Sequence, residues 1–235
     1  MEGSILNKIT VFVWKMFLLN MLFAASNVIL IGAILIAPFH LFTLPLYIIS
    51  AFFLIASLLA LMSTLKRLRE EENKSTLRLY LRCYKEEFPG SFLFSIWYIL
   101  GALVLVIGYF VLQHSAIQML FLPIYFLLAI ILYIHFVYAS LIRVNYYITI
   151  KSTWRMALYC VSKHALCSLF IFGCSMALGA LMISFPVLIF LAVFPAAAYL
   201  LTVNTRKIFE NITIALNLKE GEETNESEND SKQEL

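Results

Sequence analysis

Few residues in this chain could do chemistry, and most of them stand alone. Cys160, His164 and Cys167 fall at i, i+4 and i+7, one helix face at the start of a long apolar stretch, and Cys174 extends the row by seven. Thiols and an imidazole at that spacing are soft metal ligands. A single helix cannot close a tetrahedral site, however, and no second ligand cluster stands elsewhere. Helix packing accounts for the row, and neither metal nor cofactor is expected. His135 sits deep in another apolar stretch. There an imidazole needs a hydroxyl partner on a neighbouring helix, such as a Tyr or Ser, or a place on a substrate path. Asn20 and Asn27 lie seven apart on one face, suited to bonding across helices or to touching a solute in a polar cleft. No CxxC, HExxH, GxSxG, P-loop or GxGxxG occurs, and no Asp, Glu, Lys or Arg lies inside an apolar stretch. Ion-coupled transport and intramembrane hydrolysis use such groups, so no catalytic residue and no enzymatic activity are expected.

The elements that would position these residues are set by composition. Of 235 residues, 62% are hydrophobic and 13% charged, against ~45–50% and ~25% in soluble domains. That excludes disorder, a disulfide-stapled secreted domain and a nucleic-acid-binding domain. Charged residues are absent from 16–65, 88–142 and 164–205. Each interval is too long for one membrane helix of ~20 residues and fits two. Pro38, His40, Thr43 and Pro45 divide the first; Gln113, His114, Ser115 and Gln118 divide the second; Ser184 and Pro186 mark the third. The expected fold is all-α and polytopic: six transmembrane helices in three hairpins, near 13–37, 44–65, 92–112, 119–142, 165–183 and 186–204. Together they form a domain over 1–210.

All 17 basic residues fall before the first span, between the second and third, between the fourth and fifth, and after the sixth. Basic residues mark the cytoplasmic side. Both termini and both long loops are therefore expected in the cytoplasm of a multi-pass cell-membrane protein. The apolar run from 16 to 37 exceeds a signal-peptide core of ~7–15 residues, which predicts a retained helix. Residues 211–235 are expected to be an acidic cytoplasmic tail, mostly disordered beyond 219.

In the first long loop, Leu77, Leu81, Tyr84 and Phe88 form one helical stripe, and Arg78, Arg82 and Lys85 another. They predict a short amphipathic cytoplasmic helix over 75–88, ended by Pro89 and Gly90. Its stripe would rest in the membrane interface beside lipid headgroups or serve as a docking surface for a cytoplasmic protein. In the second loop, Ser152 or Thr153 can cap a helix running on into the fifth span. The stem of Arg143 can snorkel so that its guanidinium meets phosphate. Gly173/Ala177 and Ser175/Gly179 predict close packing of the fifth span, and Pro195 predicts a bend midway along the sixth.

Taken in order, several segments resemble the YesL family (domain of unknown function 624), small integral membrane proteins of bacteria. They are Asn20-Met-Leu-Phe with Pro38, Leu77 through Tyr84-Lys-Glu-Glu-Phe88, and Arg143-Val-Asn-Tyr-Tyr onward to Tyr199 and Arg206-Lys-Ile-Phe209. The bulky stretch 39–65 and the long acidic tail depart from that pattern. The resemblance implies no enzymatic activity. It implies instead a non-catalytic accessory or scaffolding protein of carbohydrate uptake, with subunits of an ABC importer and the lipid bilayer as partners. The alternative is a permease or channel-like protein for a small neutral solute, which would need a continuous polar path past His135 and Asn20.

Overall fold

A computed structural model describes residues 5–36, 41–70, 75–113, 118–146, 148–184 and 193–205. In order they form α1 (Ile5–Ser26), α2 (Val28–Ile36), a 3-10 turn (Leu41–Thr43), α3 (Leu44–Glu70), α4 (Thr76–Gln113), α5 (Gln118–Asn145), α6 (Ile150–Lys163), α7 (Ala165–Ser184) and α8 (Val193–Thr205). No strand occurs among the described residues. Four helical stretches are long and apolar enough to cross a membrane: Ile9–Ser26, Leu44–Leu68, Thr76–Leu112 and Met119–Asn145. The pair α6 and α7 would make a fifth if taken as one broken span, and α8 is a shorter apolar helix. The chain is a multi-pass membrane protein whose described elements are all helices. The expected tail over 211–235 lies outside the described residues.

The first expected span is interrupted. Asn27 forms a turn between α1 and α2, its amide Nδ2 donating to the Phe23 carbonyl (2.8 Å) and to Ser57 Oγ on α3 (2.7 Å). A side chain that competes for its own helix's carbonyls loosens that helix, and the bond to Ser57 fixes the break against α3.

Pro89 and Gly90 do not end a helix. The expected helix over 75–88 and the third span are one continuous α4. Proline removes one amide donor, leaving the Lys85 carbonyl without its usual partner, but Lys85 and Pro89 both face outward where water can serve it. Just beyond, Ser91 Oγ donates to the Phe88 carbonyl at 2.8 Å. The inner face holds the helix together: Leu79, Tyr80 and Cys83 are buried. α3 runs antiparallel beside it, with Phe52 stacked on Phe92 and Phe53 near Phe88.

α5 packs antiparallel to α4, bringing Phe136 to Phe94 and His135 to Tyr98. The buried core gathers at one end of this three-helix unit: Leu59 to Leu61 on α3, Leu79, Tyr80 and Cys83 on α4, and Tyr138, Leu141 and Ile142 on α5. Toward the other end apolar side chains such as Val104, Val111, Leu120 and Phe126 are exposed.

The helix before the fifth span does not run on into it. α6 begins at an N-cap, Thr149, whose hydroxyl accepts from Ser152 N–H, and it ends at His164. α7 leaves at 95°. The physical reason is the change of composition at that point. α6 is amphipathic and is most stable lying against the bundle, whereas α7 is apolar on all sides.

The glycines of the small-residue stripe of α7 do not bring a second helix close among the described residues: Gly173 and Ala177 are exposed, and nothing lies within 4 Å of a side chain built at Gly173 or Gly179, although Ser175 reaches Tyr133 of α5. Pro195 lies on α8 and is buried. The preceding part of the expected bend, 188–192, lies outside the described residues.

Candidate functional site

The polar residues converge at the tightly packed end of α3, α4 and α5. Ser63 Oγ donates to Glu87 Oε1 at 2.9 Å, and Glu87 Oε2 lies 3.7 Å from Arg143 Nε. Arg143 therefore turns inward rather than snorkelling to phosphate. Its guanidinium lies 5.4 Å from the Phe94 ring centre, and it occupies the space that a Cβ on Gly90 would fill. Lys66 Nζ donates to the carbonyls of Val144 (3.2 Å) and Asn145 (3.5 Å), placing a cation at the C-terminus of α5, where the helix dipole favours it. On the outer edge Glu86 accepts from Arg67 (2.6 Å) and Arg82 (2.9 Å). α3, α4 and α5 are thus tied together by charge. In the sequence Gly90 reads as a helix end and Glu87 as part of the Tyr84–Phe88 segment, Ser63 and Lys66 draw no reading as site residues, and nothing joins the four.

His135 is buried between α4 and α6. Its Nε2 lies 3.3 Å from the Trp154 carbonyl, which can only accept, so Nε2 donates there, and Nδ1 lies 2.9 Å from Tyr98 Oη. Trp154 closes the cluster against Trp97, Tyr98 and His135. The effect is to hold α6 across α4 and α5. Asn20, seven residues before the Asn27 turn, is fully buried.

The stripe chosen from the sequence of the α4 extension is not the face that packs inward. Leu77, Leu81 and Phe88 are exposed, as are Arg78 and Arg82, while Tyr84 is half-buried between Tyr80 and Phe88. The packed face is Thr76, Leu79, Tyr80 and Cys83, with Tyr80 Oη donating to Ser26 Oγ at 3.1 Å. The row Cys160, His164 and Cys167 is divided by the 95° bend and is not one helix face. No group of three possible metal ligands forms among the described residues. Cys160 lies on α6, outside the expected span over 165–183, and burial pushes its thiol up to about 11, far from a reactive thiolate.

Between α3, α4 and α5 lies an apolar cleft of about 520 Å³. Its tyrosines are Tyr47, Tyr98 and Tyr133. Their hydroxyls bond within the protein, Tyr47 to the Ala33 carbonyl, Tyr98 to His135 and Tyr133 to Ser175 Oγ (2.6 Å). Ser95, Ser168, Ser175 and Thr202 likewise donate to carbonyls four residues back in their own chain. Hydroxyls so engaged offer little to a passing polar solute.

No protein-family model matches the chain, and neither a curated protein nor a solved structure matches it.

Proposed function

We propose that the chain is a non-catalytic accessory or scaffolding protein of the cell membrane, spanning it six times with both termini cytoplasmic, and that it docks a partner on the cytoplasmic end of α4. The resemblance to the YesL family supplies the identity of that partner, a subunit of a carbohydrate ABC importer. The observation that carries the reading is the α4 extension itself. It is a stiff helix, clamped on its inner face by α3 and α1, that presents Leu77, Leu81 and Phe88 outward beside Arg78 and Arg82. Exposed apolar residues on a rigid element, edged by arginines, suit a protein interface. The apolar cleft with internally bonded hydroxyls supports this over a permease for a neutral solute.

The test is co-purification in gentle detergent of the native chain and of a Leu77→Asp, Leu81→Asp variant. Both leucines are exposed, so the substitutions leave the packed face alone. The expected result is stoichiometric importer subunits with the native chain and their loss from the variant, with membrane yield unchanged. Full retention by the variant would exclude this face as the docking surface.

A further inference from the structure

We propose that α6 is an in-plane membrane helix whose exposed basic arc binds the headgroups of anionic phospholipids. Three observations carry this. The first is direction: α7 is twenty residues long and apolar throughout, and α6 meets it at 95°. If α7 crosses the bilayer, α6 must run parallel to its surface at the depth where α7 enters.

The second is the distribution of side chains around α6. Thr153, Ala157 and Cys160 are buried against the bundle, Leu158 and Tyr159 are exposed, and Lys151, Arg155 and Lys163 stand on the exposed arc with Ser152 and Ser162. An amphipathic helix with apolar, aromatic and basic residues so arranged settles at the boundary of headgroup and acyl chain. The third is charge. No acidic residue occurs from 88 to 209, so no carboxylate of α5, α6, α7 or α8 neutralises the arc. Each basic residue near an anionic leaflet attracts it, within a Debye length.

The arc is also held still. Nε2–H of His135 donates to the Trp154 carbonyl, and Trp154 is packed on Trp97 and Tyr98. Thr149 caps the helix start, and Lys163 Nζ lies 5.8 Å from the Tyr159 ring centre at its end. The three cations are thus set out along a fixed rod, so little ordering is needed when lipid binds. This inference is independent of the docking role of α4.

The experiment uses the full chain in gentle detergent, offered an equimolar mixture of phosphatidylglycerol and phosphatidylcholine, with the retained lipids counted by native mass spectrometry. The expected result is preferential retention of phosphatidylglycerol, falling about fivefold for each of Lys151→Gln, Arg155→Gln and Lys163→Gln, and falling for the native chain as salt is added. In nanodiscs the native chain should unfold at a higher temperature with phosphatidylglycerol than with phosphatidylcholine alone, and the triple variant should show no such difference. Equal retention of the two lipids by the native chain, or undiminished preference in a folded triple variant, would overturn the proposal and return the arc to water or a protein partner.

Discussion

Replacing Gly90 by Ala tests the charged junction of α3, α4 and α5 through a change of sign. Gly90 lies inside a continuous helix and has no positive φ. Ala at such a position is ordinarily favoured over Gly by about 1 kcal/mol. Here the added methyl lands on the Arg143 guanidinium, which must move. Moving it withdraws the cation from Glu87 and from the Phe94 ring. At 3.7 Å the gross attraction is about 4 kcal/mol with an effective dielectric of ~20. Desolvation offsets much of that, leaving about 1–2 kcal/mol for a pair this partly buried. Gly90→Ala in the native background should therefore be neutral or destabilising by up to about 1 kcal/mol. In an Arg143→Met background the obstacle is gone, and the same change should stabilise by up to about 1 kcal/mol. The assay is unfolding in mixed detergent micelles for the four corners of the cycle, read by far-UV circular dichroism. An equal stabilisation by Gly90→Ala in both backgrounds would refute the inward placement of Arg143.

Three further outcomes are expected. Asn27→Ala removes the 2.7 Å bond to Ser57 and should cost about 0.6–2 kcal/mol in the same assay, with Ser57→Ala adding little more in the double variant. With its pKa raised to about 11, only about a thousandth of the Cys160 thiol is thiolate at pH 8, against roughly a quarter for a free cysteine. Alkylation of Cys160 in the folded protein should then be slow at pH 8, quicken as pH rises toward 11, and become fast at pH 8 once the chain is unfolded; a fast reaction in the folded state would contradict its burial. Thiols introduced at His40 and His114 should be labelled by an impermeant reagent from outside the cell, and thiols at Asn73 or in the tail should not; outside labelling at Asn73 would reverse the proposed topology.

The long apolar helices were legible because a charge in hydrocarbon is costly wherever it sits, so the gaps between charged residues mark candidate membrane segments before any packing is known. Where the helices start, stop and bend depends on neighbours, and there the sequence misleads in both directions. Pro89-Gly90 reads as a helix end, because in a short isolated helix the lost hydrogen bond would decide the matter. On α4 the inner face of Leu79, Tyr80 and Cys83 against α3 outweighs it. Asn27 and His164 carry neither Pro nor Gly, yet the chain turns at both. At Asn27 the decisive group is Ser57, thirty residues away; at His164 it is the mismatch between an amphipathic helix and an apolar one. The inner face of α6, Thr153, Ala157 and Cys160, has helical spacing in the sequence, but Cys160 also continues at i+4 and i+7 into His164 and Cys167, so the sequence offers two faces and only the bend at His164 decides between them. Arg143 makes the same point about side chains. Snorkelling is the cheapest course for an arginine at a helix end only when nothing inside can receive it, and here Glu87 can, because residue 90 is a glycine that leaves the guanidinium room. A half-buried ion pair thus rests on a missing side chain, which is why neither charged residue alone announces it.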